Sequence, residues 1–302
     1  MKHLYIIGNG FDIFTGLRTR YADFRHWLKN VYPFIYENLD AAYDIDGEWW
    51  NDFEIQLGKL DIKKYVQKFQ IKYKSFDEIR NECTERWAFE QKYNLPPSSG
   101  DSHCAKRLSG LLDILQYCFE KWVSSCQEMF YKTKYVKLET EDSYFINFNY
   151  TDVLQWLYKI PEDRVLHIHG RASTKDRLIF GHNSLILHGD SKDEDETCFE
   201  LYKYEKNPYK YIFKYNELPN ILKDVEFVHI YGFSFSPVDL DYIDWIYLNT
   251  PKSSQWEVSW FSDQDKARVE SFILEHWGLK TRLKFMKLDD IEVERNWYSK
   301  TK

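Results

Sequence analysis

The chain has no run approaching the ~20 apolar residues that a membrane span requires. Nor does it open on the charged, apolar and small-residue succession of a secretory leader. These two absences set the expectation of a cytoplasmic protein. Cysteine is scarce: Cys83, Cys104, Cys118, Cys126 and Cys198, an odd number with no C-x-x-C pair. That is a poor disulfide framework and a poor zinc site, so buried free thiols are expected. Positive charge is not in excess either. The formal net charge is −7, so no overall basic field draws the chain onto nucleic acid. Internal repeats and low-complexity tracts are also missing.

What is present is apolar and aromatic material in quantity. Over 302 residues the apolar fraction is 43%, enough for a sizeable core, and the aromatic fraction is 18%. Length and pattern suggest a single α/β domain over 1–302 with a large insertion. The first strand, Lys2 to Ile7, runs into Gly8-Asn9-Gly10-Phe11-Asp12. In a parallel sheet such a turn lies at the carboxyl end of the strand, where ligands bind, and its glycines let backbone approach a phosphate. The third glycine of a G-x-G-x-x-G fingerprint and the Lys-Ser/Thr of a P-loop are lacking, so a tight turn without ligand explains the pair equally well.

A helix is expected from Arg20 to about Asn30. From 32 to 135 almost no strand signal appears. Leu108, Leu111, Leu112, Leu115, Cys118, Phe119 and Trp122 recur at helical spacing and predict a long helix over 104–130. A helical insertion over 32–135 follows. Strands then return at Ser143–Phe148, Arg164–Ile168, Arg177–Phe180, Glu226–Tyr231, Trp256–Phe261 and Arg282–Leu288, interleaved with helices. This alternation implies a doubly wound, mostly parallel, Rossmann-like sheet.

Polar residues cluster past the strand ends: Asn9 and Asp12, Asn149 and Asp152, His167 and His169, then Ser234, Ser236 and Asp239. A parallel sheet would bring them to one edge. Bland roles compete. Asn149-x-x-Asp152 and Ser236-Pro237-Val238-Asp239 both have helix-capping spacing. His167 and His169 alternate along a strand end and so should point the same way. A metal there would need a third ligand such as His182, and none is expected. His229, inside a strand, reads as core.

Taken together, Ile6-Ile7-Gly8-Asn9-Gly10-Phe11-Asp12, Gly16-Leu17-x-Thr19-x-Tyr21-x-x-Phe24, Phe148-Asn149-Tyr150-Thr151-Asp152-x-Leu154, His167-x-His169-Gly170, Phe180-Gly181-His182-Asn183 and Tyr231-Gly232-Phe233-Ser234, with Asp239 and Tyr242 beyond, resemble the bacteriophage abortive-infection AbiH family. AbiH proteins are in turn remotely similar to the sirtuin-like NAD-binding fold. That likeness implies an abortive-infection protein that binds NAD and hydrolyses its nicotinamide–ribose bond. Ala22-Asp23-Phe24-Arg25 would answer to the Gly-x-x-Asp-Phe-Arg segment of sirtuins. Asn149 to Asp152 would answer to their Asn-x-Asp, with one extra residue. His169-Gly170 would supply the general base, and Gly232-Phe233-Ser234 would hold the dinucleotide. The four-cysteine zinc module of sirtuin deacylases has no counterpart, which favours NAD hydrolysis over deacylation.

On this reading Asn149, His169 and Asp152 are catalytic. Gly8, Asn9, Gly10, Asp12, His167, His182, Gly232, Ser234 and Asp239 bind the nucleotide, and no metal takes part. The Gly8 and Gly10 amides and Ser234 would grip the pyrophosphate, and Asp152 would orient His169 or stabilise positive charge on the ribose ring. The partners implied are a small nucleotide, an unknown phage trigger and a second copy of the chain, without a membrane. Two alternatives stay open. One is a nucleotide-sensing module that does not cleave. The other is an RNA-directed protein using the lysine- and tyrosine-rich stretches from Lys63 to Lys74 and from Tyr204 to Tyr215; against it, such stretches more often form a solvated helix face.

Overall fold

Strand β1 (His3–Ile7) is the centre of the structure. Four of its five residues are buried, as expected of a strand covered on both faces. It pairs in parallel with β2 (Ser143–Asn147) on one side and with a later strand, Phe227–Tyr231, on the other. With β3 (Val165–His167), that later strand as β4, β5 (Gln255–Ser259) and β6 (Leu283–Met286), the sheet runs in the order β3-β2-β1-β4-β5-β6, and every pairing is parallel. The computed structural model describes residues 1–46, 48–69, 102–128, 134–174, 177–183, 188–212, 214–279 and 281–292.

Alternation along the strands sorts side chains into two cores. Leu4, Ile6, Ile146, Val228, Ile230 and Val258 face one side, packed with the helices at Leu218–Leu222, Leu240–Asn249 and Asp263–Trp277. Tyr5, Ile7, Phe145 and Tyr231 face the other, packed with helix α1 (Asn9–Thr15) and the helix Val153–Tyr158. The result is an all-parallel α/β sheet with helices on both sides. The order reverses between β1 and β4, and in open sheets of this kind the reversal opens a crevice beyond the carboxyl ends of the strands.

The chain forms two compact units. The first comprises Met1–Arg20, Ser124–Asp176 and Pro208–Lys302 and holds the whole sheet. The second comprises Tyr21–Val123 and Arg177–Asn207. Its described residues contain helices, including Tyr21–Val31, Pro33–Tyr43, Ile62–Phe69 and Lys192–Tyr202. The helix expected over 104–130 is observed at His103–Glu128. Much of the aromatic content is used in this unit: Phe24 meets Phe119 edge-on at 5.3 Å, Trp50 stacks on Phe53, and Phe180 stacks on Phe53 and Phe119. Cys104, Cys118, Cys126 and Cys198 are buried free thiols, while Cys83 lies outside the described residues.

Two expectations are corrected. Arg177–Phe180 is not a strand, because side chains satisfy the backbone there. The Gln116 amide donates to the Leu178 carbonyl at 2.5 Å, and the Gly181 N–H donates to Glu54 at 3.2 Å. Among the described residues of this segment, the bridge of His182 with Glu205 is the one ladder-like pairing. Helix Leu240–Asn249 also starts later than its capping pattern suggested. Phe235 takes a positive φ of 52°, and residues 236–239 form a turn closed by the Asp239 N–H on the Ser236 carbonyl at 2.9 Å. Ser236 therefore caps no helix, whereas Ser191 and Ser262, at true helix starts, accept from the Glu194 and Asp265 amides.

The second unit also buries an ion pair. Lys206 Nζ lies 2.7 Å from Glu54 Oε1, with the lysine side chain 1% exposed. Removing one partner strands a charge away from water. Lys206→Met should therefore lower stability by about 3–5 kcal/mol in urea unfolding, and the double variant Glu54→Leu/Lys206→Met should recover part of that loss.

Candidate functional site

Beyond the carboxyl ends of β1 and β4, two turns meet backbone to backbone. The Gly10 N–H donates to the Gly232 carbonyl at 2.7 Å, and the Gly8 N–H donates to the Tyr231 carbonyl at 3.0 Å. A β-carbon on Gly8 would lie 2.6 Å from the Gly232 oxygen. One on Gly232, whose φ is +65°, would lie 2.0 Å from the Phe11 nitrogen. The sequence therefore needs glycine here to let the two turns touch. Both amide hydrogens are spent within the protein, which corrects the expectation that they grip a pyrophosphate.

Helix α1 begins directly after this turn and lowers Asp12 into the interior, 1% exposed. Its carboxylate accepts from Asn149 Nδ2 at 2.7 Å and from the Thr151 hydroxyl. Asn149 Nδ2 also donates to the Gly8 carbonyl at 3.0 Å. These bonds sew the loop after β2 to the turn after β1. Burial raises the Asp12 pKa to about 7; the bonds from Thr151 and Asn149 hold it down, and the charge of Asp152 adds to the rise. Asp12 and Asn149 thus stand together as expected, but their polar atoms face each other.

His169 lies on the same edge. Strand β3 stops at His167 and the chain turns, so the alternation expected of the two histidines fails. The His169 ring is 2% exposed and packs edge-on against Phe148 at 5.3 Å and Tyr242 at 5.5 Å, with Tyr150 at 6.2 Å. Its Nε2 stands 3.4 Å from Asp239 Oδ1. His167 turns elsewhere. Its Nδ1 is 3.3 Å from the Asn149 carbonyl, and its Nε2 is 2.8 Å from the Gln155 amide nitrogen. A carbonyl only accepts, so Nδ1 carries the proton and Nε2 receives the Gln155 N–H. Burial lowers the His167 pKa and disfavours the charged ring.

The carboxylate facing His169 is therefore Asp239. Asp152 is paired with Arg171 and also accepts from the Ser173 hydroxyl at 3.1 Å. Arg171 extends the pair to Glu162. Asp239 and Gly232 sit on one loop, so the loop that touches the glycine turn also brings Asp239 to His169. Asn9 and Ser234 lie at the surface, apart from the buried Asp12 and His169 groups. Asn9 is exposed and donates to the Thr19 carbonyl at 2.8 Å, and Ser234 is exposed with its carbonyl on Arg268 Nη2 at 3.2 Å. His182 belongs to the second unit, fully buried, with Nε2 3.1 Å from the Leu201 carbonyl.

The family described as Bacteriophage abortive infection AbiH matches residues 4–260. The chain belongs to the AbiH family. The matched span runs from β1 through β5 and contains the glycine turns, Asp12, Asn149, His169 and Asp239. AbiH membership indicates a role in abortive infection, a defence against bacteriophage. No curated protein matches the chain. No helix among the described residues of this AbiH protein is long and apolar enough to cross a membrane. Nor do they contain a group of three or more His, Cys, Asp or Glu that could hold a metal ion. The lysines of the stretch weighed for RNA are ion-paired where described: Lys63 with Asp190, and Lys64 and Lys68 with Asp44. Residues 70–74 lie outside the described residues. In the second stretch Tyr204 is buried and donates to Asp113 at 2.6 Å.

Sequence reasoning missed Arg171, Arg268 and the bracing role of Thr151. A lone arginine carries no spacing signal, and Thr151 was visible only as part of the Asn149–Asp152 motif. The Asp12 node sets a pH dependence. Its folded pKa, near 7, stands above the ordinary 3.8, so its contribution to stability is complete below pH 4 and is lost as pH rises through 7. Carboxyl carbon resonances should show Asp12 titrating near pH 7. Asp12→Ala, which leaves one Asn149 amide hydrogen and the Thr151 hydroxyl without their acceptor, should cost about 1–3 kcal/mol in unfolding.

Proposed function

We propose that this AbiH protein acts in abortive infection by binding NAD at the carboxyl edge of its Rossmann-like, sirtuin-like sheet and hydrolysing the nicotinamide–ribose bond. The observation that carries the reading is the His169–Asp239 pair, set in an aromatic box at the sheet edge and on the loop that flanks the β1–β4 reversal. A histidine titrates near neutral pH and suits proton acceptance. Asp239 would hold the ring and stabilise the imidazolium formed when it takes a proton from the attacking water. Cleavage would pass through a transition state resembling an oxocarbenium ion, by analogy with glycoside hydrolysis.

Asn149 would act from behind. By binding Asp12 and Gly8 it fixes the loop whose Phe148 and Tyr150 flank the His169 ring. The donors that fit a pyrophosphate are Ser234 and Arg268. Both are exposed beside the Gly232 turn; Arg268 Nη2 is held by Asp265 at 2.8 Å, and the rest of the guanidinium matches phosphate oxygens in shape and charge. A second reading, a dinucleotide-binding module that does not cleave, is favoured by the burial of both His169 and Asn149 at 2% and 4% exposure.

Chromatographic detection of nicotinamide after incubation with NAD separates the two. Hydrolysis predicts nicotinamide release that falls at least ~100-fold in His169→Gln, with a smaller loss in Asp239→Asn and an unchanged thermal unfolding profile in both. NAD binding without release selects the second reading. Equal NAD consumption by the native and His169→Gln proteins removes His169 from the chemistry.

A further inference from the structure

A second polar cluster lies within the first unit, on strand faces that the proposed chemistry does not use. Strand register places Tyr5, His229, Glu257 and Lys284 side by side across β1, β4, β5 and β6. His229 Nδ1 lies 3.2 Å from Glu257 Oε1, and His229 Nε2 lies 3.1 Å from His3 Nδ1. The two imidazoles are near-parallel, 11° apart, with centroids 5.4 Å apart. His3 stacks on Phe227, itself 38% exposed, and Tyr5 stacks on His229 at 4.4 Å. Glu257 also accepts from Tyr231 Oη at 2.5 Å and from Lys284 Nζ at 2.8 Å.

The bonding pattern fixes the protons. A carboxylate only accepts, so Nδ1 of His229 carries a hydrogen toward Glu257. In the neutral ring Nε2 is then a lone pair, and it receives the hydrogen of His3 Nδ1. The line therefore runs His3 to His229 to Glu257, each member donating to the next. It tolerates one added proton, because a charged His229 can donate from both nitrogens. It does not tolerate two, because both nitrogens at the 3.1 Å contact would then bear hydrogens.

We propose that His3, His229 and Glu257 form a proton-sensing relay, a clasp that fastens β1 to β4 and β5 at neutral pH and is released by acid. The groups around it agree. Burial alone would raise the Glu257 pKa, but bonds from His229, Lys284 and Tyr231 outweigh it and bring it to about 2, so the anchor stays ionised. Burial, and then the charge of His229, lower the His3 pKa, against the pull of Glu139, Asp142 and Glu226. His3 in the folded protein thus resists the proton that it accepts when unfolded. Stability is lost as pH falls from the ordinary imidazole value toward the lowered one. Asp12 titrates with the opposite sign over part of this range and is common to all variants, so differences between variants isolate the relay.

The test is urea unfolding of the full chain between pH 8 and 5, native against His3→Gln. Glutamine still donates to His229 Nε2 but takes up no proton. The native folding constant should fall more steeply below pH 6.5 than that of His3→Gln, the gap growing by up to about tenfold per pH unit. Parallel curves overturn the proposal. Imidazole nitrogen spectra of the native protein at pH 7.5 give a second reading that needs no variant. They should show His229 protonated at Nδ1 alone, with the shared hydrogen on His3 Nδ1. A His229 protonated at Nε2 instead, or a His3 that titrates at the ordinary imidazole value, overturns it equally.

Discussion

The site depends on one close approach: the turn after β1 and the turn after β4 touch backbone to backbone. Gly8, Gly10 and Gly232 leave no room for a β-carbon, and the Gly10 N–H closes the contact on the Gly232 carbonyl. The contact fixes where α1 begins, and so where Asp12 enters the interior. It equally fixes the path of residues 232–239, and so where Asp239 arrives. Two polar nodes on the edge of the sheet follow from a single glycine contact.

Those nodes divide the acidic residues of the edge by environment. Asp12 is buried and held by neutral donors, which leaves its protonation balanced near neutrality. Asp152 is neutralised by Arg171. Asp239 faces an imidazole among aromatic rings. Three carboxylates that look interchangeable along the chain thus take up bracing, ion pairing and a place against an imidazole. What separates them is the partner within about 3.5 Å, not their own chemistry. The histidines separate in the same way: His167 is locked by a carbonyl and an amide, His169 meets a carboxylate, and His229 stands between His3 and Glu257.

Much of the fold was legible in the sequence. Apolar runs of strand length bounded by turns located β1, β2, β4, β5 and β6 to within a few residues, and helical spacing located His103–Glu128. Both signals come from burial, which repeats at fixed periods. The Arg177–Phe180 segment misled because an apolar, extended stretch looks the same whether its backbone is bonded by a strand or by side chains such as Gln116 and Glu54. Ser236 misled because capping spacing says nothing of the left-handed backbone at Phe235 that displaces the helix start.

By itself, then, the sequence determined the parallel α/β class, the family, and the set of polar residues delivered to the carboxyl ends of the strands, because periodicity and glycine placement are local properties. Only the tertiary structure decided which of those residues face one another. Asp239 rather than Asp152 meets His169, Asn149 turns inward to Asp12, and His229 lies between His3 and Glu257. Each pairing joins residues tens to hundreds of positions apart, and it is the sheet order, set by packing over the whole first unit, that brings them within bonding distance.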